Sequence, residues 1–332
     1  MKATARVPGK VTLLGEHAVV YGQPAIVAAI DRYVNVEAQD VGGSEITVYA
    51  EDITLKGIKA TITADGQAYS PYNNMATKTM SYILEALSIA SKKVGETRGA
   101  SIHIRSSMPV GAGLGTSAAV AVGTVAAYSA LCGRRLKADE LAELGRSVEL
   151  KVQGMSSGMD AQAVSRGGVI SVRNRGKGIE VRPLRSRIRS LGLAFVPRTR
   201  STAEAVRVVA ELKQGFPDVV ERIFDLIGYM VLESEKAVTE GNSAGLGAYM
   251  NMNHGLLSAL GVTNYNVENA VSIARVHGST GAKLTGAGFG GAVVFVCGSD
   301  ADLETVALAL KHNGIDAHTV EVVDDGVSVT LE

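Results

Sequence analysis

Apolar and polar residues alternate along much of the first fifty positions, a pattern typical of half-buried β-strands. The predicted strands cover residues 3–8, 11–14, 33–38 and 45–50. From residue 74 to 92 the apolar positions recur every three or four residues, which indicates an amphipathic helix, and a strand over 100–105 follows. The chain therefore begins as a mixture of strands and helices.

No charged residue occurs between Arg105 and Arg134, and this run exceeds the roughly 18 residues that suggest a membrane span. Pro109 and three glycines interrupt its first third, so only 116–131 remains as a helix. Such a helix is too short to cross about 30 Å of hydrocarbon. We predict a buried helix behind a glycine-rich loop, followed by a second helix over 138–152.

Residues 173–189 combine glycines, a proline and many cations. No aromatic residues interleave with the cations, so a solvated hairpin and linker is favoured over an RNA-binding segment. At about 150 residues per domain, a chain of 332 residues predicts two domains, and we place them at 1–180 and 181–332.

The second half begins with helical periodicity over 202–277. A strand, a glycine loop, a strand, a helix and a strand then follow over 283–323. This order predicts an α+β fold.

Composition narrows the classes of function. The 33 basic residues balance 33 acidic ones, so no long-range field favours nucleic acid or an anionic membrane. Cys132 and Cys297 cannot form a disulfide framework, which fits a reducing cytosol, and no export signal is recognisable. We expect a cytoplasmic protein that binds neither nucleic acid nor membrane.

A glycine-rich segment between a predicted strand and a predicted helix is the strongest candidate for chemistry. It reads Pro109-Val110-Gly111-Ala112-Gly113-Leu114-Gly115-Thr116-Ser117-Ala118-Ala119. Its glycines let successive N–H groups face an anion at the start of a helix, as in polyphosphate sites. The Walker A ending is absent, so Ser117 is the candidate hydroxyl for a phosphate-bound magnesium ion. The alternative is a simple glycine turn with a helix cap.

Two further segments carry candidate polar groups. In residues 8–22, a strand bearing Lys10 would bring an ammonium into a site and leave Glu16 and His17 at its rim. Residues 283–291 contain a formal GxGxxG, but the apolar run after it predicts a strand rather than the helix of a dinucleotide site. We therefore predict a loop between two strands, able to close over a phosphate.

Glu149 and Asp160 flank a Ser/Gly turn and supply two carboxylates. Phosphoryl transfer to an alcohol needs one carboxylate near a magnesium ion and another near the acceptor hydroxyl. The pair therefore fits a kinase.

Taken in order, Pro-Gly-Lys…Gly-Glu-His, Pro-x-Gly-x-Gly-Leu-Gly-x-Ser-Ala-Ala and Lys-Leu-Thr-Gly-Ala-Gly-x-Gly-Gly resemble the three signature motifs of GHMP kinases. The resemblance spans residues 8 to 291. It implies a two-domain α+β fold, with a ribosomal-S5-domain-2-like N-terminal domain and a ferredoxin-like C-terminal domain. The first motif, with Ala18-Val19-Val20-Tyr21-Gly22 after Gly-Glu-His, is most similar to that of mevalonate kinases, and residues 148–154 look most like archaeal members.

The resemblance also implies roles for residues. Ser117 and Glu149 would hold Mg²⁺, Lys10 and Asp160 would be catalytic, and Asp160 would act as a base or orient the hydroxyl. The ATP phosphates would be bound by Pro109, Gly111, Ala112, Gly113, Leu114, Gly115, Thr116 and Ser117. The acceptor would be bound by Glu16, His17, Arg200, Thr202 and Gly288. Many relatives carry His and Pro within the segment that here reads 153–160, and their absence leaves the acceptor open.

The implied reaction transfers the γ-phosphate of ATP to the 5-hydroxyl of mevalonate, a step of isoprenoid biosynthesis, and a homodimer is typical of the family. Alternatives are a related acceptor, namely phosphomevalonate, the 3-hydroxyl of mevalonate or a sugar. A non-catalytic metabolite sensor with a kinase fold is the alternative from another class.

Overall fold

The computed structural model describes residues 1–50, 55–62, 68–69, 78–109, 111–176 and 178–332. The strands are β1 (Lys2–Leu14), β2 (Pro24–Asp40), β3 (Glu45–Ala50), β4 (Leu55–Ile62), β5 (Ala68–Tyr69), β6 (Ala100–Ser106), β7 (Val169–Asn174), β8 (Ile179–Leu184), β9 (Ser190–Val196), β10 (Gly281–Thr285), β11 (Gly291–Val296), β12 (Asp316–Glu321) and β13 (Ser328–Leu331). The helices are α1 (Lys78–Val94), α2 (Thr116–Leu131), α3 (Ala138–Gln153), α4 (Met159–Arg166), α5 (Thr202–Gly215), α6 (Pro217–Glu240), α7 (Ser243–Ala259), α8 (Tyr265–Val276) and α9 (Asp300–His312), with a short 3-10 helix at Ala18–Tyr21.

The first sheet has the order β13-β1-β2-β6-β3-β4-β5. Strand β2 is long enough to pair with β7 near its start and with β6 near its end, and β8 extends the sheet beyond β7. The pairing of β1 with β2 shifts register between Pro8 and Gly9, so one continuous strand occupies the place of the two predicted at 3–8 and 11–14. A bulge accommodates Pro8 and Gly9 within the strand.

Helix α2 is buried around its whole circumference, as expected for a helix without charge. It packs on β1 and β2, with α1 and α3 against its other sides. At Gly123, an added Cβ would lie 2.8 Å from Cγ2 of Val36, so glycine permits the close approach of α2 to the sheet. The predicted bounds 116–131 are confirmed. This packing fixes the start of α2 relative to β1.

The second sheet is antiparallel, in the order β10-β11-β9-β12. Helices α7, α8 and α9 pack against it. The chain then returns to the first sheet, where β13 pairs with β1. The loop 286–290 joins two strands, as predicted, so the dinucleotide interpretation fails on structure as well as on sequence.

The predicted α+β fold class is confirmed. The boundary between 180 and 181 falls inside β8, and β13 belongs to the first sheet, so the division into domains stays a prediction. Sequence reasoning missed α4, because 156–158 was taken as a flexible turn and its continuation was left unassigned. The predicted helix over 74–92 is α1, and residues 74–77, like Val110, lie outside the described residues. Among the described residues, no helix has the length and apolar character to cross a bilayer.

Candidate active site

A cleft cavity of about 220 Å³ lies where the three glycine-containing segments meet. Its lining comes from β1, the 3-10 helix, the start of α2, the end of α3, the start of α4, the start of α5 and the loop between β10 and β11. The polar side chains that line it are Lys10, Thr116, Ser117, Glu149, Gln153, Ser156, Ser157, Asp160, Arg198 and Thr202. Elements from both sheets therefore contribute to one site.

The glycine-rich loop forms one wall. Gly111, Gly113 and Gly115 all have positive φ, between 76° and 82°. A Cβ on Gly113 would lie 2.9 Å from the carbonyl oxygen of Thr285, and one on Gly115 would lie 2.8 Å from Cγ of Lys10. Both positions thus require glycine for close packing as well as for backbone conformation.

The first turn of α2 faces the cavity, because Thr116, Ser117 and Ala118 line it. The residue before the helix is Gly115, so no side chain caps its free N–H groups. Oγ1 of Thr116 is buried without a hydrogen-bond partner among the described residues. Unsatisfied donors at a helix start, combined with the helix dipole, favour an anion such as a phosphate.

Lys10 and Asp160 form an ion pair in the cavity, with Nζ 3.0 Å from Oδ1. Lys10 extends from β1 and is only 2% exposed, whereas Asp160 lies in the first turn of α4 and is about a third exposed. The backbone N–H of Lys10 donates to the carbonyl of Leu114, which ties β1 to the glycine-rich loop. A fixed ammonium and a solvent-accessible carboxylate therefore stand beside the phosphate wall.

Glu149, near the end of α3, is the second carboxylate of the cavity. Its Oε2 accepts a hydrogen bond of 2.5 Å from Oγ of Ser156. Burial, and then the neighbouring charge of Asp160, raise the pKa of Glu149 to about 7. The surroundings of Glu149 thus disfavour its negative charge, and a cation bound beside it would offset that cost.

Tyr82 of α1 is fully buried next to Ser117 and outside the cavity lining. Its hydroxyl hydrogen-bonds with Ser117 and accepts from the amide of Gln153. Burial, followed by the charges of Glu149 and Asp160, raises the pKa of Tyr82. The tyrosine is therefore a neutral support for the hydroxyl of Ser117.

Comparison with known proteins shows the family of this chain. The family models described as the GHMP kinases N terminal domain and the GHMP kinases C terminal match residues 81–168 and 234–316. The chain is 39% identical to mevalonate kinase of Pyrococcus horikoshii over 292 residues, 86% of each chain. It is 36% identical to mevalonate kinase of Pyrococcus furiosus over 99% of this chain and 98% of that one. The chain belongs to the mevalonate kinase family of GHMP kinases.

Solved structures support the assignment of this kinase. That of the Methanococcus jannaschii mevalonate kinase superposes with a TM-score of 0.81 at 29% identity, covering 96% of this chain and 98% of that one. That of L. major mevalonate kinase in complex with R-mevalonate gives a TM-score of 0.75 at 26% identity, covering 96% and 95%. The predicted family and fold are confirmed, and the kinase uses ATP as its family does.

Most predicted site residues of the kinase line the cleft. Those that do are Lys10, Gly111, Gly113, Gly115, Thr116, Ser117, Glu149, Asp160 and Thr202. Pro109, Ala112 and Leu114 belong to the same loop but are not among the lining residues, and Ala112 and Leu114 are buried behind it.

The expected place of Glu16 and His17 at the rim is wrong. Both are buried, and Glu16 forms an ion pair with the fully buried Lys283 of β10. The ring Nε2 of His17 lies 2.9 Å from the carbonyl oxygen of Ala287. Gly15, with φ 105°, turns the chain at the end of β1 and packs against Pro24 and Ala25 of β2.

Gly288 and Arg200 also lie away from the cleft lining. Gly288 is buried with φ 93°, and a Cβ there would meet the carbonyl oxygen of Val262. The guanidinium of Arg200 is 4.6 Å from the ring centroid of Phe289, on the exposed side of the loop. Because Arg200 stacks on Phe289, its side chain lies outside the cleft lining.

Sequence reasoning missed Arg198, which is the arginine of the cleft. Its guanidinium donates to the carbonyl of Gly111 at 3.0 Å, to the carbonyl of Arg200 at 2.8 Å and to Oγ1 of Thr202 at 3.1 Å. Burial lowers the pKa of Arg198. The sequence showed that either Arg198 or Arg200 could reach the site. Which of them does so depends on the irregular backbone of 197–201, which hydrophobic periodicity does not predict.

Proposed function

We propose that the cleft transfers the γ-phosphoryl group of ATP to the 5-hydroxyl of mevalonate, giving 5-phosphomevalonate and ADP for isoprenoid biosynthesis. The observation that carries the proposal is the Lys10–Asp160 ion pair beside the uncapped start of α2 in one cavity. The curated relatives named mevalonate kinase, at 35% identity or more over most of their length, support this acceptor.

In this proposal the glycine-rich loop holds the polyphosphate of ATP. The N–H groups of the first turn of α2 donate to phosphate oxygens, and Thr116 and Ser117 add hydroxyl donors. The loop from β10 to β11 contributes Gly286 and Ala287 on the opposite side. Burial of the triphosphate between two backbone segments would exclude water from the transferring group.

Ser117 and Glu149 would hold Mg²⁺, whose chemistry is to bridge phosphate oxygens and neutralise charge during transfer. The residues fit such an ion, because Glu149 is a buried carboxylate whose ionised form is disfavoured until a cation binds beside it. The described residues contain no cluster of three or more His, Cys, Asp or Glu side chains able to hold a metal. A site with one carboxylate that shares its metal with substrate phosphates is typical of Mg²⁺.

Asp160 would orient the 5-hydroxyl and accept its proton, while Lys10 stabilises the negative charge that spreads over the transferring group. Asp160 is accessible from the cavity, as a group that contacts an acceptor must be. In a loose phosphoryl-transfer transition state little proton removal is needed early, so positioning by the Lys10–Asp160 pair supplies much of the rate.

Arg198 would pair with the carboxylate of mevalonate, assisted by Thr202. Its guanidinium is fixed by three hydrogen bonds, and no carboxylate partner is present in the described part of the chain. Arg200, His17 and Gly288 would act through the loop from β10 to β11, which they contact or form. Glu16 would act through Lys283 of β10, which precedes this loop. Lys10 and Arg198 are the cations among the described lining residues, which favours mevalonate over the more negative phosphomevalonate.

We also propose that the kinase is a homodimer through the exposed face of α6. Val219, Leu226 and Tyr229 are 58%, 47% and 60% exposed and lie within one side of this helix. Exposed apolar patches of this kind mark association sites. Light scattering after gel filtration should give twice the chain mass for wild type and a monomer for Tyr229→Glu. A monomeric wild type would contradict the proposal.

The experiment that tests the function is coupled ADP release with Mg²⁺ and ATP against mevalonate, phosphomevalonate, galactose and homoserine. Of the four acceptors, we expect only mevalonate to support turnover, and phosphorus NMR of the product should show a 5-phosphate. Turnover with another acceptor, or a 3-phosphate product, would refute the assignment of the acceptor. The cytoplasmic location stays a prediction.

A further inference from the structure

A second cavity, of about 860 Å³, lies apart from the cleft and is rich in arginine. Its cations are Arg166, Arg185, Arg187 and Arg189, and Asp324 is the acidic residue among its described lining. We call it the arginine cavity. It shares no lining residue with the cleft. Because the whole chain has no net charge, this concentration of cations is a local feature.

Three of these arginines come from one short segment. Arg185-Ser186-Arg187-Ile188-Arg189 joins β8 to β9, and its single apolar residue, Ile188, is buried. The backbone is held in place because the N–H of Arg187 donates to the carbonyl of Val238 and the N–H of Ile188 donates to Oγ of Ser186. The three arginines line the cavity while Ile188 anchors the segment in the core.

The cations are only partly neutralised. Arg189 pairs with Asp324 at 2.9 Å, and Arg166 pairs with Asp139, outside the lining, at 2.9 Å. The side chains of Arg185 and Arg187 make no hydrogen bond or ion pair within the described ranges. Like charges that line one cavity repel each other, and a bound anion would remove this cost.

We propose that the arginine cavity binds a phosphate or diphosphate group of a small molecule. Guanidinium groups form paired, charge-assisted hydrogen bonds to phosphate oxygens, and two of them are free to do so here. No aromatic side chain is among the described lining residues on which a base would stack, so the site favours a compact anion over RNA.

The position of the arginine cavity separates it from the reacting groups. Arg166 ends α4, six residues or about 9 Å along the helix from Asp160. Ala138, also in the lining, starts α3, eleven residues or about 17 Å from Glu149. The bound anion thus contacts the far ends of the two helices that carry the carboxylates, and binding there does not depend on the proposed reaction.

The test is isothermal titration of the full-length protein with inorganic diphosphate at about 0.15 M salt. Wild type is compared with Arg185→Gln/Arg187→Gln and with the matched control Arg105→Gln/Arg207→Gln, which removes two exposed arginines elsewhere. We expect the first pair to weaken binding at least 10-fold and the control to leave it unchanged. Diphosphate that enters the cleft contributes equally to all three proteins.

Three results would overturn the proposal. They are equal affinities in wild type and Arg185→Gln/Arg187→Gln, equal losses in both double variants, and tighter binding of a single-stranded oligonucleotide than of diphosphate. Turnover by both double variants should equal that of wild type, because none of the four residues lines the cleft. This control shows that a loss of binding is not a loss of folding.

Discussion

Replacing Lys10 by Met tests the catalytic geometry most severely, because it removes the ammonium and keeps the length of the side chain. The Nζ lies 3.0 Å from Oδ1 of Asp160, in a place where Lys10 is almost fully buried. At an effective dielectric constant of about 20, this pair attracts by about 5 kcal/mol before desolvation is subtracted. Because Asp160 is about a third exposed, water replaces much of that attraction in the variant.

We therefore expect Lys10→Met to lose only about 1–2 kcal/mol of folding stability. Its effect on catalysis should be larger, because a fixed donor at the site of developing charge is worth about 10²–10³ in kcat. The KM for ATP should change less, because the backbone of the glycine-rich loop would also bind the phosphates.

The assay is steady-state ADP release combined with thermal unfolding, with Lys92→Met as a matched control on the exposed end of α1. A kcat within about threefold of wild type would refute the role given to Lys10. So would a loss of activity that merely follows a loss of folded protein.

Three further changes test other parts of the site. Glu149 has a folded pKa of about 7, above its ordinary value of 4.5, so its contribution to the stability of the metal-free enzyme is full below about pH 4.5 and is lost as pH rises towards 7. Glu149→Gln should therefore stabilise the metal-free enzyme by about 2–3 kcal/mol at pH 8, measured by urea unfolding, and should abolish turnover. An unchanged free energy of unfolding would contradict this pKa. Gly115→Ala should lower kcat at least 10-fold, because the added Cβ would displace the side chain of Lys10. Gly133→Ala is the control: its φ of 81° is similar, but no atom lies within 4 Å of the added Cβ, so it should lower only the free energy of unfolding. Equal kinetic effects of the two variants would count against the close approach. Glu16→Gln and Lys283→Met should each cost about 3–5 kcal/mol by leaving a buried charge, and the double variant much less, so additive losses in chemical denaturation would argue against the pair.

Sequence periodicity predicted elements that bury an obvious face. Strand β3 had its bounds predicted from alternation, whereas the bounds of α2, which is buried all round, were predicted from a run without charge that follows Pro109 and the glycines. Helix α4 was missed because its eight residues span only about two turns, too few for a hydrophobic repeat to show. Length and continuity of the apolar pattern decided which elements were found.

Within the site, sequence reasoning found the glycine-rich loop that lines the cleft. Gly113 and Gly115 mark close approaches to Thr285 and Lys10, and glycine is the residue that permits such contacts whatever the surrounding fold. Sequence reasoning failed for Glu16, whose partner Lys283 lies 267 positions away, because no local pattern reports an ion pair between two sheets. The same limit applies to Arg198 and Arg200, which only the turn after β9 distinguishes.

The central claim is that Asp160 and Lys10 act on the 5-hydroxyl of mevalonate, and a single comparison tests it most directly. Mevalonate-dependent product formation is followed by phosphorus NMR for wild type and Asp160→Asn, with Asp139→Asn as an exposed control. The account predicts 5-phosphomevalonate from wild type and the control, and a loss of at least 10²-fold in Asp160→Asn with folding unchanged. Product formation by Asp160→Asn at the wild-type rate would contradict it.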